Sequence, residues 1–416
     1  MPVKKSAIFG FCLFDFANSA YTTVIITAVY SVYFARSLGS PFLWSMTLSL
    51  SYFLVILVSP VSGAIADLGG FKKRFLFFSY TICVASTALL YFGTPEKAWL
   101  AVALIILSNF GFSLSENFVS SFLPSLADRS NMGRVSGYAW SFGYVGGVAS
   151  LILSLVFLIQ AKFADEAMRT VPVLTAGFFA LFALPAFFWL REPALQGPRP
   201  SLGIGLVRTG FRRLRETFNA VRVYRDLFRF LTAFFFYSCG TVTVISFAAI
   251  FAEQVLRFKT AEIIKLIFTA NITAAVGAFM FGFIQDMIGA KKTLYITLVL
   301  WLLAAVAAYF VEGRTLFWII ANIVGFAMGA SQSASRSLVG ILSPPGKIAE
   351  FYGFWGFAGK GAAIAGLFSF GLFLKAFGGM RPAILTTAAF FLIGIVLLRF
   401  VNEPPLPKKK EPWEDL

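Results

Sequence analysis

Four charged side chains lie inside segments of the chain that are otherwise apolar: Asp15, Glu116, Arg336 and Lys360. A charge at membrane depth is costly, and such residues usually line the path of a substrate or an ion. In one interpretation the carboxylates bind an ammonium or a proton and Arg336 binds a carboxylate or phosphate, which suits a zwitterion such as an amino acid. In a second, the acids and bases pair with each other and hold a gate shut. A third is fixed packing within one helical bundle.

Polar side chains recur around these charges with the spacing of one helix face. In the first apolar segment they stand at i, i+3, i+4 and i+7 from Asp15 to Thr22, and in the fourth they stand at i, i+4, i+7 and i+11 from Asn109 to Ser120, again on one helix face. The seventh and tenth segments are less regular. Polar faces on such hydrophobic helices must meet water or one another, which predicts a central cavity. The residues expected to contact substrate or a coupling ion are Asp15, Asn18, Ser19, Thr22, Asn109, Glu116, Tyr237, Thr241, Gln332, Arg336 and Lys360.

Membrane-spanning helices are the elements predicted to position these residues. The chain of 416 residues is 58% hydrophobic and 13% charged, whereas a soluble domain has about 25% charged residues. Windows of about 20 apolar residues, long enough to cross the hydrocarbon core, predict twelve spans. They lie near residues 8–35, 43–66, 75–93, 98–122, 135–160, 172–190, 228–252, 263–285, 293–311, 315–340, 351–376 and 382–401.

The predicted fold class is an all-α membrane protein with twelve transmembrane helices in two pseudo-symmetric six-helix bundles. Six spans fall on either side of one polar stretch that is rich in Arg and Pro. The predicted units are an N-terminal bundle at 1–191, a cytoplasmic linker with a basic amphipathic helix at 192–227, a C-terminal bundle at 228–403 and a cytoplasmic tail at 404–416.

A duplicated loop motif supports this division. The first copy runs from Gly63 to Lys73 and the second from Gly282 to Lys292, at an offset of 219 residues (63 to 282). Internal repeats of this kind are typical of carriers. An Asp near a helix end, followed by a glycine turn and two lysines, can cap a helix or pair with a basic loop, so a gating role is expected. The motif residues are Gly63, Asp67, Gly70, Lys72, Lys73, Gly282, Asp286, Gly289, Lys291 and Lys292.

The net charge of +16 is explained by membrane topology. Lys and Arg concentrate in loops that share one side if both termini are cytoplasmic, so nucleic-acid binding is not expected. Between Arg208 and Arg229, Arg residues recur at helical spacing among apolar residues, which predicts a helix on anionic lipid headgroups. A regulatory partner site is the less favoured interpretation.

Metal, redox and enzymatic chemistry are not expected. The three cysteines, Cys12, Cys83 and Cys239, fall within spans, and the chain has no histidine. No nucleophile–base pair, metal cluster or nucleotide loop is recognisable. We therefore expect no metal and no cofactor, with H⁺ or Na⁺ left open as a coupling ion, and a monomer that binds a small-molecule substrate and membrane lipids.

Several segments resemble a known family. The twelve spans and the Gly-x3-Asp-x2-Gly-x-Lys-Lys loops look like the major facilitator superfamily. The segments FDFANSAY (14–21), SYFLVILVSPVSGAIAD (51–67), GRVSGYAWSFGYVGG (133–147) and EFYGFWGFAGK (350–360) resemble its Atg22-like, or UMF1, branch. The resemblance implies a multipass permease with alternating access, and fungal members are associated with amino-acid efflux from the vacuole. It implies functional roles for Asp15, Asn18, Ser19 and Lys360.

Departures from the wider superfamily disfavour drug/proton antiport. Leu68 and Met287 stand where an Arg usually follows the motif Asp, and the fourth span offers Glu116 but lacks the Arg of many proton-coupled members. We expect a secondary active transporter for a small polar or zwitterionic, amino-acid-like metabolite. The alternatives are a lipid or lysolipid translocase and a membrane sensor that does not transport. A cell (inner) membrane, with both termini cytoplasmic, is favoured over a vacuole.

Overall fold

The computed structural model describes residues 4–192 and 204–406. Residues 193–203 of the predicted linker (192–227) and residues 407–416 of the predicted tail (404–416) lie outside the described residues. An all-helical fold with twelve helices long and apolar enough to span a membrane is confirmed. The spans, labelled α1 to α12 in chain order, are Lys5–Leu38, Phe42–Gly69, Lys72–Phe92, Pro95–Leu126, Met132–Gln160, Asp165–Trp189, Arg225–Leu256, Glu262–Ile288, Ala290–Phe310, Arg314–Leu342, Ile348–Phe377 and Met380–Leu398.

The spans form two groups of six, and each group has its own apolar core. Phe11 and Phe14 are fully buried in the core of α1–α6, and Trp301 and Phe391 are fully buried in that of α7–α12. Because successive spans reverse direction, the start of α1, the end of α12 and both loop motifs lie at one end of the molecule. We call this the motif end.

Glycines shape the motif end in two ways. Gly70 and Gly289 have φ angles of 61° and 94°, a region that glycine enters without steric cost. The chain can therefore turn sharply in both motif loops. Elsewhere glycines let the two groups of helices touch backbone to backbone. A Cβ at Gly63 of α2 would collide with the carbonyl of Ala349 at α11, and a Cβ at Gly133 of α5 would lie 2.6 Å from the carbonyl of Gly282 in α8.

Each half also closes its own loop with an acid that follows its last span. The first N–H groups of a helix have no partner inside the helix. At the start of α3, the N–H groups of Lys72 and Lys73 donate to the carboxylate of Glu192 at 2.8 and 2.7 Å. At the start of α9, Ala290 and Lys291 donate in the same way to Glu403 at 2.8 and 2.9 Å.

A separate helix, Ile204–Asn219, crosses the motif end and contacts both halves. We call it the linker helix. On the N-terminal side, Leu206 joins an apolar cluster with Val61 and Ile65 of α2. On the C-terminal side, Arg213 Nε donates to the carboxylate of Glu350 at the start of α11, at 3.0 Å. Its opposite face, with Arg208, Arg212 and Arg215, is exposed.

The first span is irregular in the part that faces away from the motif end. The backbone of Tyr21–Ala28 and of Phe34–Leu38 forms π-helical turns, which are rare and often occur at functional sites. The corresponding span of the second half, Arg225–Leu256, is α-helical throughout. The two halves therefore differ in backbone geometry where their first spans approach the cavity described below.

Candidate functional site

A cavity of about 730 Å³ lies between the two halves. It reaches from the middle of the spans to the end opposite the motif end, where Ile264, Phe317 and Met380 lie near helix termini. Its outer walls are apolar. Its charged lining residues are two acids and two bases, namely Asp15, Glu116, Arg336 and Lys360.

The first charge pair joins Asp15 of α1 to Arg336 of α10, and we call it the inner pair. Arg336 Nη1 lies 2.5 Å from the Asp15 carboxylate, and the two side chains are 2% and 11% exposed for Arg336 and Asp15. Arg336 also donates from Nε to the hydroxyl of Ser136 and from Nη2 to its carbonyl, at 3.1 and 2.8 Å. The rings of Phe11 and Trp140 lie 5.0 and 5.3 Å from the guanidinium carbon. This guanidinium is fixed on every side.

The second charge pair joins Glu116 of α4 to Lys360 of α11, and we call it the outer pair. The ammonium lies 3.8 Å from the carboxylate, and the side chains are 20% and 25% exposed for Lys360 and Glu116. Beyond this contact, Lys360 lies 5.3 Å from the ring of Tyr52 and 5.8 Å from that of Phe112. The outer pair is therefore open to the cavity and loosely held.

Ring stacking shows that the two pairs occupy different depths. Tyr21 of α1 stacks on Phe112 of α4, with ring centroids 5.1 Å apart. Asn18 precedes Tyr21 by about one turn on α1, and Glu116 follows Phe112 by about one turn on α4, which runs the opposite way. Asn18 and Glu116 therefore lie at one level, roughly 5 Å toward the motif end from the rings. Asp15 lies one further turn toward the motif end.

The structure brings most of the predicted site residues to this cavity. Asn18, Ser19 and Thr22 line it beside Asp15. Gln332 also lines it and accepts a hydrogen bond from Tyr144 of α5 across the two halves.

Three predicted site residues are used elsewhere. Asn109 donates to Ser51 at 3.0 Å, and the hydroxyl of Tyr237 bonds to that of Ser335 at 2.5 Å, each within one half. Thr241 donates to a carbonyl of its own helix. These three are not among the lining residues. Asn109 and Tyr237 bond to neighbouring spans instead.

Sequence reasoning missed the contribution of α5 to the site. Trp140, Tyr144 and Ser136 of this span contact Arg336 or Gln332 from the opposite half. Aromatic residues and one serine are common in any span, so their presence alone predicts no role. The available signal was the spacing of Ser136, Trp140 and Tyr144 at every fourth position, which places them on one face.

The two motif aspartates cap helices of the opposite half. Asp67 accepts from the N–H of Glu350, the third residue of α11, at 2.8 Å, and lies 3.0 Å from Lys72 Nζ. Asp286 accepts from the N–H of Gly133 at 2.8 Å and from Arg134 Nε at 2.7 Å, at the start of α5. Negative charge at a helix N-terminus is stabilising, so each aspartate favours closure of the motif end.

The lysines that make equivalent contacts in the two motifs differ by one position within the motif. Lys73 Nζ donates to the carbonyl of Leu190 at 2.8 Å, and Lys291 Nζ donates to that of Val401 at 2.6 Å. By sequence spacing, Lys73 would match Lys292, which is exposed. The structural match to Lys291 arises because α9 begins at the residue directly after Gly289, whereas α3 begins two residues after Gly70.

Oxygen-rich or thiolate metal sites are not apparent in residues 4–192 and 204–406, where no group of three Cys, Asp or Glu residues could hold an ion. Cys12, Cys83 and Cys239 are free and buried.

Comparison with known proteins places these features in context. The family described as "Vacuole effluxer Atg22 like" matches residues 28–405. An uncharacterized MFS-type transporter of Bacillus subtilis, YxiO, is 30% identical over 97% of this chain and 96% of its own length. Autophagy-related protein 22-1 of Penicillium rubens is 25% identical over 86% of this chain and 74% of its own.

Solved structures agree on the fold. The major facilitator superfamily transporter FucP, in its outward conformation, aligns with a TM-score of 0.75 at 15% identity, covering 96% of this chain and 100% of FucP. The human organic anion transporter MFSD10 aligns with a TM-score of 0.76 at 16% identity, covering 96% and 100%. Similarity at this level of identity supports the fold alone.

Proposed function

This chain belongs to the Atg22-like family of major facilitator superfamily transporters, and on that premise we propose that it carries a small zwitterionic metabolite of the amino-acid type. The family is one of transporters and not of enzymes. What the substrate is, how it moves and what drives it are proposals.

The outer pair is the observation that carries the proposal. One bundle offers the carboxylate of Glu116 and the other offers the ammonium of Lys360, 3.8 Å apart and both partly exposed in the cavity. A zwitterion inserted between them satisfies both charges, with its ammonium on Glu116 and its carboxylate on Lys360. Because the cavity carries equal numbers of acids and bases, a ligand with no net charge leaves this balance intact.

Alternating access is proposed from the position of the inner pair. Asp15 and Arg336 belong to different bundles and lie between the outer pair and the motif end. While they are paired, the cavity opens only away from the motif end. Transport requires the bundles to separate there, which breaks the inner pair and the helix caps made by Asp67 and Asp286. The outer pair is thus assigned to substrate contact and the inner pair to the gate.

We also propose a coupling ion, a membrane orientation and lipid contacts for the transporter. When the bundles separate, the carboxylate of Asp15 loses its partner, and H⁺ or Na⁺ is the proposed replacement. Basic residues concentrate at the motif end, including Lys73, Arg74 and Lys292, so we place that end and both termini in the cytoplasm of a cell membrane. The exposed arginines of the linker helix are proposed to contact anionic lipid, and the transporter is proposed to be a monomer without a cofactor.

Thermal unfolding with a ligand panel tests the proposal. The purified protein is heated with amino acids, dipeptides, sugars, nucleosides and lysolipids, beside Glu116→Gln and Lys360→Gln variants. A ligand at 100 times its Kd stabilises by about 2.7 kcal/mol. We expect stabilisation by amino acids that both variants lose. Stabilisation by lysolipids alone would identify a lipid translocase instead. If no ligand of the panel raises the unfolding temperature, a sensor would be favoured.

A further inference from the structure

Two buried polar atoms on the cavity wall have no hydrogen-bonding partner within residues 4–192 and 204–406: Asn18 Oδ1 and Trp140 Nε1. A buried polar group without a partner is unusual and is expensive to maintain. Other described atoms share this condition, but Asn18 and Trp140 are the residues among them that line the cavity. Asn18 is 6% exposed.

The free acceptor lies at the same depth of the cavity as an acid. Asn18 lies at the depth of Glu116, as the stacked rings of Tyr21 and Phe112 show. Its amide oxygen and the Glu116 carboxylate are thus two acceptors at one level of the cavity. An ammonium that keeps its N–H groups can donate to both, whereas a fully N-methylated ammonium has no hydrogen to donate.

The free donor stands beside the inner pair. The ring of Trp140 lies 5.3 Å from the guanidinium carbon of Arg336 and packs at a tilt on Tyr144, with centroids 6.1 Å apart. These contacts fix the indole, whose N–H can only donate. Trp140 thus adds a donor to the cavity lining, which also includes the ammonium of Lys360.

We infer that Asn18 and Trp140 are specificity-determining residues: Asn18 accepts from the substrate ammonium and the Trp140 N–H donates to the substrate carboxylate. The inference rests on the proposed function and narrows it to zwitterions that have both an N–H-bearing ammonium and a free carboxylate. An analogue that lacks either group leaves a buried protein atom unpaired, and sites built to bind an N–H or O–H reject such analogues strongly.

Binding of three matched ligands to four proteins tests this inference. The ligands are an amino acid that stabilises the wild type, its N,N,N-trimethyl derivative and the corresponding amine, in which hydrogen replaces the carboxyl group. The proteins are the wild type, Asn18→Leu, Trp140→Phe and Trp355→Phe. Trp140→Phe removes the N–H and keeps an aromatic side chain, although a smaller one. Trp355 has an equally unpartnered indole nitrogen but does not line the cavity, so it is the matched control.

We expect the wild type and Trp355→Phe to bind the amino acid at least about tenfold more tightly than either analogue, the ratio that corresponds to one lost charge-assisted hydrogen bond. Asn18→Leu should lower the preference for the amino acid over its trimethyl derivative by about threefold or more, and Trp140→Phe should do the same for the preference over the amine; Glu116 and Lys360 maintain the rest of each preference. Variants that keep the wild-type ratios would overturn the inference alone. A wild type that binds no zwitterion would overturn the proposed function with it.

Discussion

The inner and outer pairs combine the same kinds of charge, each across the two bundles, yet their settings differ. Arg336 and Asp15 are 2.5 Å apart and 2% and 11% exposed, whereas Lys360 and Glu116 are 3.8 Å apart and 20% and 25% exposed. The guanidinium has further donors bound to Ser136 and lies close to the rings of Phe11 and Trp140. Burial and neighbouring donors therefore distinguish a rigid contact between the bundles from an exposed one, to which we assign the proposed ligand.

The largest effect is expected when the inner pair loses one member. Removing one partner of a buried pair leaves an uncompensated charge and costs about 3–5 kcal/mol. Arg336→Ala should therefore lower the free energy of unfolding by that amount and abolish transport, as measured by chemical unfolding and by uptake into proteoliposomes. Reversing both charges, with Asp15→Arg and Arg336→Asp, should recover more transport than either reversal alone. Equal loss in all three would contradict the pairing.

A third pair, of intermediate burial, should give an intermediate effect. Arg213 of the linker helix and Glu350 of α11 are 3.0 Å apart and 16% and 0% exposed. Arg213→Ala removes a hydrogen bond to a charged group, worth about 1.5–3 kcal/mol, and should lower thermal stability accordingly. Arg212, its exposed neighbour on the same helix, is the control, and Arg212→Ala should change nothing measurable. Equal effects of the two variants would show that burial does not rank these pairs.

A substitution that forces the two bundles apart at the motif end should also separate the inner pair. A Cβ at Gly63 collides with the carbonyl of Ala349, and such overpacking costs about 1–3 kcal/mol. We expect Gly63→Ala to open the motif end and to expose Ser337, which is fully buried there. Labelling of a Ser337→Cys reporter by a membrane-impermeant thiol reagent should rise several-fold. Gly177→Ala, where a Cβ meets nothing within 4 Å, should leave labelling unchanged.

The smallest effect on stability is expected at the outer pair. Partly exposed pairs contribute about 0–1 kcal/mol, so Lys360→Gln should change the unfolding free energy by less than about 1 kcal/mol. Its effect should appear in ligand affinity, which should fall about tenfold or more, since a hydrogen bond to a charged group is lost. Calorimetric binding beside thermal unfolding separates the two quantities. A stability loss as large as that of Arg336→Ala would erase the distinction between the pairs.

Local patterns made much of this architecture predictable from the sequence. Hydropathy and a repeated motif can be read directly along the chain, so the twelve spans and the two-bundle fold follow from the order of the residues. The four charges could also be identified, because a charge within an apolar span is conspicuous. Which acid faces which base could not be derived, since Asp15 and Arg336 are 321 positions apart and their contact depends on the packing of whole bundles.

Other features of the site depend on rotation and register, which the sequence pattern does not determine. Asn109 and Tyr237 lie on the predicted polar stripes, but their side chains point to Ser51 and Ser335 of their own bundles. Trp140 gave only a weak signal, its four-residue spacing from Ser136 and from Tyr144, because an aromatic residue in a span usually serves packing. Lys73 and Lys291 make equivalent contacts because α3 and α9 begin at positions that differ by one residue relative to the motif glycine. The identical spacing of the two motifs does not indicate this difference.

Glu192 and Glu403 have a consequence for how the chain could be divided. Each acid follows the sixth span of its half and binds the N–H groups that start the third span of the same half. The acid that caps the third span of each half therefore comes from that same half. Two polypeptides cut within the linker, produced separately in one cell, should each retain this closure and assemble into a working carrier, as expected of a gene that arose by duplication of a self-sufficient precursor.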